Sequence, residues 1–156
     1  MEEINKLDQR VPAWMHNKET AMEKPYSVVL ADSHELVRQE VRRIIEAIGG
    51  LQVVGEASDG LQLLEVLKAT VPDMVIVDIS IPSLRDIDAI RQIRALYPDI
   101  KVIFLSMHEH KEYLNYSMDN GADGFIFKLN LDVELYPAIK KIRCGEVFVS
   151  PLASQG

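Results

Sequence analysis

The sequence is poor in several features, and each absence excludes a class of protein. It has one cysteine, Cys144, so no internal disulfide can form and a reducing compartment, the cytoplasm, is expected. It has no apolar run long enough to span a bilayer and no secretory signal at its start, so no membrane partner is expected. Positive charge is also scarce, because 17 lysines and arginines stand against 24 acidic residues. The formal net charge of −7 argues against nucleic-acid binding by this chain itself.

What the sequence does have is a repeated alternation of apolar runs and amphipathic stretches. The apolar runs show no polar alternation, which is typical of strands buried on both faces of a parallel sheet. Strands are predicted at 26–31, 51–57, 73–78, 100–106 and 123–128, and the helices that follow them at 33–50, 59–70, 84–98, 110–121 and 131–145. Right-handed crossovers between such units favour a doubly wound α/β fold. We therefore predict a five-stranded parallel sheet in the flavodoxin-like order 2-1-3-4-5.

One folded domain is predicted between two less regular ends. Residues 1–24 are polar, charged and without a sustained period, and we expect a flexible extension there. The folded domain is assigned to residues 25–144, and residues 145–156 are interpreted as the start of a linker. In the first helix the apolar residues from Leu36 to Ile48 are predicted to share one face, and Asp59 is predicted to cap the second helix.

Four polar side chains stand at the edge of the predicted sheet where parallel strands end. Asp32 follows the first predicted strand. The third, fourth and fifth predicted strands end in Asp78, Ser106 and Lys128. Each residue alone has an ordinary explanation as a capping, turn or surface residue. Because doubly wound sheets bind ligands at the carboxyl ends of their strands, the four residues together predict a site.

The chemistry of these four side chains suits phosphoryl transfer. Asp78 can act as a nucleophile, since carboxylates form acyl phosphates. The neighbouring carboxylates of Asp32 and Asp78 repel each other and favour a divalent cation, and Mg²⁺ binds one or two carboxylates together with phosphate oxygens. Ser106 offers a hydroxyl donor and Lys128 an ammonium with three donors for phosphoryl oxygens. Asp78 then ends the buried stretch DMVIVD because a reaction site needs it held rigidly.

Four stretches, LADSHELVRQEVR, VIVDISIP, IFLSMHE and GADGFIFK, carry a resemblance to a known family. With the spacing between them, they resemble the receiver domain of bacterial two-component response regulators, over about residues 26–143. ADSH, LSMH and GEVFVSP are most similar to the NarL/FixJ (LuxR-type) class. The resemblance implies a signalling domain that a sensor histidine kinase phosphorylates, that forms a homodimer through a receiver face, and that is not a conventional enzyme. It also implies a transcription regulator whose helix-turn-helix DNA-binding domain is absent from this chain.

The resemblance also assigns roles to individual positions. It implies that Asp78 is the phosphoacceptor, and that Asp32, Asp78 and the backbone carbonyl of Ser80 are the protein ligands of Mg²⁺. Ser106 matches the switch hydroxyl and Phe125 the aromatic residue whose rotamer follows it. Lys128 matches the lysine that pairs with the phosphoryl group.

Ser33 departs from the family pattern, which has two consecutive acids after the first strand. Serine is a poorer ligand than carboxylate for a hard cation, so weaker Mg²⁺ binding is expected. This departure keeps an alternative open, in which the chain is a degenerate receiver that acts as an interaction module without phosphorylation. The neighbouring His34 is interpreted as a loop histidine and not as a replacement ligand.

Two further expectations concern the surface and the class of activity. Tyr113 and Tyr116 lie three residues apart on the fourth predicted helix, and they are either an exposed interface pair or one packs inward. A phosphatase of the haloacid-dehalogenase type would need a second aspartate two residues after the nucleophile, where Ser80 stands. True enzymatic catalysis is therefore not expected.

Overall fold

The computed structural model describes residues 25–85, 88–108 and 111–151. The predicted extension at 1–24 lies outside these residues, as does the end of the predicted linker at 152–156. Strands alternate with helices throughout, in the order β1 Tyr26–Ala31, α1 Glu35–Ala47, β2 Leu51–Ala57, α2 Gly60–Thr70, β3 Met74–Asp78, α3 Ala89–Leu96, β4 Lys101–Ser106, α4 Lys111–Asp119, β5 Gly124–Phe127, a short 3₁₀ helix Lys128–Asn130, α5 Leu131–Arg143 and β6 Phe148–Val149.

The strands form a single parallel sheet in the order β2-β1-β3-β4-β5-β6. The predicted fold class and the predicted order 2-1-3-4-5 are confirmed. The structure adds a sixth, two-residue strand at the edge, where Phe148 N donates to Asp123 O and Ser150 N to Phe125 O. A run of two residues is too short to show strand periodicity, which is why the sequence alone assigns these residues to the start of a linker.

Helices cover both faces of the sheet, so that the strands lie in the middle of three layers. In β3, Val75 and Val77 face one core with α2, α3 and α4, whereas Met74 and Ile76 face a second core with α1 and α5. All five residues of β3 are buried. This two-sided burial explains why the strands are continuously apolar and why a charge at their ends is conspicuous.

Some features of the helices agree with the predictions from the sequence and others do not. Asp59 caps α2 as predicted, with its side chain accepting a 2.8 Å hydrogen bond from Gln62 N. Helix α3 begins at Ala89, later than the predicted residue 84, because Leu84 and Arg85 form a turn. Leu36 is 79% exposed, so its predicted place on the buried face of α1 is wrong.

Among the helices of the described residues, none is long and apolar enough to cross a membrane.

Candidate functional site

The register of the sheet brings the predicted site residues to one edge. Ala31 pairs with Val77, so Asp32 and Asp78 end neighbouring strands. Asp78 pairs with Leu105 across β3 and β4, which places Ser106 one residue further along the same edge. In turn Ser106 pairs with Phe127, and Lys128 follows directly. Asp32, Asp78, Ser106 and Lys128 are all buried, at 8% exposure or less.

Lys128 holds the two aspartates together. Its Nζ lies 2.6 Å from Asp78 Oδ2, to which it donates a hydrogen bond, and 2.6 Å from Asp32 Oδ2. The contact with Asp32 is an ion pair, so the ammonium is the partner of Asp32 Oδ2 as well. Two buried carboxylates thus share one ammonium, and the group carries a net negative charge. Such a site favours a further cation.

The other oxygen of Asp78 is held by Ser80. Asp78 Oδ1 accepts 2.8 Å hydrogen bonds from both the backbone amide and the hydroxyl of Ser80. With Lys128 on Oδ2, both carboxylate oxygens are occupied and Asp78 is only 1% exposed. An incoming group therefore competes with Ser80 and Lys128 for the oxygens of Asp78. The predicted ligand role of the Ser80 carbonyl stays a prediction.

The two predicted switch residues are buried but do not contact the aspartates through hydrogen bonds. The Ser106 hydroxyl donates to His108 O and accepts from His108 N, both at 3.0 Å, and therefore bonds within its own loop. Phe125 lies edge-on to Phe127, with ring centroids 5.6 Å apart, and is fully buried. Their predicted roles in switching remain predictions.

The loop after Asp78 is anchored on both sides of the site. Gly60 N donates a 2.8 Å hydrogen bond to Pro82 O, and a Cβ at Gly60 would lie 2.9 Å from the Ser83 backbone, so only glycine allows this approach. On the other side the Arg85 guanidinium lies 5.8 Å from the ring centroids of both Tyr113 and Tyr116. The acceptor loop is thus connected to α2 and to α4.

Tyr113 and Tyr116 of α4 pack against the hydrophobic core on their side of the sheet. Tyr116 meets Phe104 edge-on at 6.1 Å, and Tyr113 stacks on His108 at 5.4 Å. Burial, and next the charge of Asp88, raise the pKa of Tyr116. Both tyrosines are half-buried against the core, which favours the packing alternative over an exposed interface pair.

Sequence reasoning set His34 aside and overlooked Arg38, although both contact Asp32. The backbone N of His34 donates to Asp32 Oδ1 at 2.8 Å, and its ring Nδ1 lies 3.2 Å from the same oxygen. Arg38, one turn into α1, donates to the Asp32 carbonyl and also bonds Glu56 at 2.9 Å. The contact of His34 with Asp32 could have been predicted from the spacing, because an aspartate side chain can bond the backbone two residues further on in an Asx-type turn.

Comparison with known proteins agrees with this geometry. The family described as "Response regulator receiver domain" matches residues 28–140. The transcriptional regulatory protein DegU of Brevibacillus brevis is 31% identical over 134 residues, which are 85% of this chain and 56% of DegU. The chain thus spans little more than half the length of this relative.

Solved structures with the same fold include members of the same class. A LuxR-family response regulator from Aurantimonas sp. SI85-9A1 is 31% identical with a TM-score of 0.78, over 85% of this chain and 94% of that one. The isolated receiver domain of RcsB from Salmonella enterica serovar Typhimurium, solved with the phosphomimetic BeF₃⁻, is 26% identical with a TM-score of 0.77, over 85% and 98%. RcsB has also been solved in complex with DNA, and this chain covers 67% of that RcsB chain at 26% identity.

Proposed function

Since the chain belongs to the family of response regulator receiver domains, we propose that Asp78 is its phosphoacceptor and that a sensor histidine kinase is its phosphodonor. One observation carries this proposal. Asp78 ends a fully buried strand, with Lys128 Nζ 2.6 Å from its Oδ2 and a second carboxylate, Asp32, on the same ammonium. A structural ion pair needs only one carboxylate, whereas this site buries a second one against the same ammonium.

The proposed reaction is a transfer between two nucleophiles. A carboxylate oxygen of Asp78 forms a bond to phosphorus while the P–N bond of the kinase's phosphohistidine breaks. The electron pair of that bond stays on the imidazole, which takes up a proton. Lys128, with its three donors, stabilises the charge on the phosphoryl oxygens. Receiver domains are generally not enzymes, and in this step the chain accepts a group without acting on a separate substrate.

The residues of the site fit the divalent cation that receiver domains generally bind at their acidic site. The supporting feature is the pair of buried carboxylates, Asp32 and Asp78, which share a single ammonium. Asp32, Asp78 and the Ser80 carbonyl are the residues that would hold Mg²⁺. When bound, it would offset the negative charge of the transferring group. The neutral Ser33 removes one carboxylate from this set, and weaker Mg²⁺ binding is expected.

The contacts of Ser106 support a route from the site to α4. The Ser106 hydroxyl bonds the backbone of His108 in both directions, and the His108 ring stacks on Tyr113 of α4. If Ser106 turned towards a phosphoryl group, it would release this backbone and with it the support of Tyr113. We expect the resulting shift of α4, together with Phe125, to change the face through which the domain forms a homodimer.

The whole protein is proposed to be a transcription regulator that binds DNA through a domain outside this chain. DegU, which is nearly twice as long as the matched region, is described as a transcriptional regulatory protein, and RcsB has been solved with DNA. The net charge of −7 supports a division in which this chain senses and another part binds DNA. The phosphorylation-independent alternative is not favoured, because acceptor, lysine and switch hydroxyl are all retained.

The test is the intact mass of the chain after incubation with acetyl phosphate and Mg²⁺, beside Asp78→Asn. We expect a single phosphoryl adduct on the wild type and none on the variant, which removes the nucleophile but keeps its shape. Ser33→Asp, which restores the missing acid, is expected to increase the adduct at the same Mg²⁺ concentration.

Two outcomes would contradict the proposal. An adduct of equal yield on Asp78→Asn would place the phosphoryl group elsewhere. No adduct on either folded wild type or Ser33→Asp would argue against phosphorylation altogether.

A further inference from the structure

His34 occupies a position from which its ring can act as a ligand. It is the residue before α1, with extended backbone angles of φ −98° and ψ 111°, and its side chain makes no hydrogen bond that caps the helix. The ring instead turns back, so that Nδ1 lies 3.2 Å from Asp32 Oδ1. The ring therefore stands beside the position that lost its acid, Ser33.

Three side chains that can bind a metal lie close together at this edge of the sheet. One ligand atom each from Asp32, His34 and Asp78 lies within 4.8 Å of the other two. Two ligands in adjacent positions of an octahedral ion, each about 2.1 Å from it, are about 3 Å apart. The 3.2 Å between His34 Nδ1 and Asp32 Oδ1 matches that spacing.

The ammonium of Lys128 does not occupy the same side of Asp32. It contacts Oδ2, whereas His34 contacts Oδ1, so a cation beside His34 and the ammonium would use different oxygens of one carboxylate. Asp32 is 98% buried. Because the ammonium lies on Oδ2, a cation beside the His34 ring would approach Asp32 through Oδ1.

We propose that His34 Nδ1 is a metal ligand of this site and that it selects a first-row transition cation, such as Mn²⁺ or Co²⁺, over Mg²⁺. Imidazole suits such cations, whereas Mg²⁺ prefers an all-oxygen shell. The presence of Ser33 in place of an acid would then change which metal the site binds, in addition to lowering its affinity for Mg²⁺. This inference rests on the proposed function only in that the same acidic site holds the cation.

The experiment is titration calorimetry of the tag-free chain with Mg²⁺, Mn²⁺ and Co²⁺, together with the visible absorption of the Co²⁺ form. Any nitrogen or oxygen site tends to bind Co²⁺ more tightly than Mn²⁺, so the decisive comparison is between variants. We expect His34→Ala to weaken Co²⁺ binding by about tenfold and change its spectrum, and to leave Mg²⁺ binding within about twofold. Ser33→Asp should instead strengthen Mg²⁺ binding.

The control is His108→Ala, which removes another exposed histidine of the same edge, one that stacks on Tyr113. It is expected to leave Co²⁺ binding unchanged. His34→Gln serves as a second variant if the alanine variant melts at a lower temperature without metal.

An unchanged Co²⁺ affinity and spectrum in a folded His34 variant would overturn the inference, as would an equal loss with Mg²⁺. Failure of the proposed function looks different, because no phosphoryl adduct would form with any cation although Co²⁺ binding still depended on His34.

Discussion

The two ends of the same sheet both carry aspartates, and they use them differently. At the amino end, Asp73 Oδ2 accepts hydrogen bonds from the backbone and the hydroxyl of Ser27, at 2.8 and 3.1 Å, and joins β3 to β1. Asp123 Oδ2 accepts from Val102 N and from Arg94, both at 2.9 Å. At the carboxyl end, Asp32 and Asp78 share one ammonium, that of Lys128.

The difference separates aspartates that build the fold from those available for chemistry. The oxygens of Asp73 and Asp123 that bond the backbone tie one strand to the next, which is a structural use. The carboxyl end places two carboxylates in a buried position with one ammonium between them, an arrangement that costs stability and is found mainly at functional sites. Substitutions at the amino end should therefore lower stability without changing phosphorylation, whereas substitutions at the carboxyl end should also change the response to a divalent cation.

The largest expected effect on stability is that of Lys128→Ala at the carboxyl end. Removal of the ammonium leaves two buried carboxylates without their shared partner, and we expect the free energy of unfolding to fall by about 3 kcal/mol. A divalent cation should restore part of this loss, because it replaces the missing positive charge. Urea unfolding with and without the cation measures both quantities. The exposed Lys140→Ala is the matched control, and an equal loss there would refute the prediction.

At the amino end, Asp73→Ala is expected to reduce the free energy of unfolding by about 2 kcal/mol, because it leaves Ser27 N without its side-chain acceptor. In contrast to Lys128→Ala, added cation should not recover this loss. The yield of phosphoryl adduct should equal that of the wild type. A clear fall in adduct, with the variant folded, would show that the two ends of the sheet are not independent.

A smaller effect is expected from Ser80→Ala, which removes one of the two hydrogen bonds on Asp78 Oδ1. A net hydrogen-bond contribution of about 1 kcal/mol corresponds to about a fivefold faster phosphorylation by acetyl phosphate. The time course of adduct formation by mass spectrometry measures this. Ser58→Ala, which removes an exposed hydroxyl bonded to Gln62, should have no effect on the rate. A slower reaction in Ser80→Ala would mean that the hydroxyl assists the transfer.

The smallest effect is expected at Glu56, beside the site on β2. Burial raises the pKa of Glu56, but the hydrogen bonds from Arg42 and Arg38 outweigh it and hold this pKa below its usual value. A lowered pKa in the folded state means stability that is present above the unfolded pKa and lost as the pH falls through the folded one. Glu56→Gln should cost less than about 1 kcal/mol at neutral pH, since the pair is screened by solvent.

This difference between Glu56→Gln and the wild type should vanish in acid, where Glu56 is protonated in both states. Thermal unfolding across the acidic range measures it. A difference that persists unchanged below the folded pKa would assign the effect to packing.

The strand order and the position of the site could be predicted from the sequence. The strand order follows from the hydrophobic periodicity, and the site follows from the residues at the strand ends, Asp32, Asp78, Ser106 and Lys128. Both are local properties of the sequence, and parallel strands bring their carboxyl ends to the same edge of the sheet. The late start of α3 at Ala89 and the exposure of Leu36 could not, since the turn at Leu84 and the neighbours of α1 are set by tertiary contacts.

The contacts inside the site were also beyond sequence reasoning. That Ser80 bonds Asp78 through its hydroxyl, or that the His34 ring turns towards Asp32, depends on side-chain rotamers in two loops. Residue types and spacing restrict these rotamers too weakly to choose between them. The same limit applies to Ser106, whose hydroxyl bonds its own loop.

The sixth strand has a mechanical consequence. Ser150 N is bonded to Phe125 O at 2.8 Å, and Ser150 is fully buried, so the chain is clamped to β5 before it continues. A pull on the chain beyond Ser150 would load that hydrogen bond, and with it the strand that carries Phe125 and leads into Lys128. The load would therefore act three residues from the ammonium that contacts both aspartates.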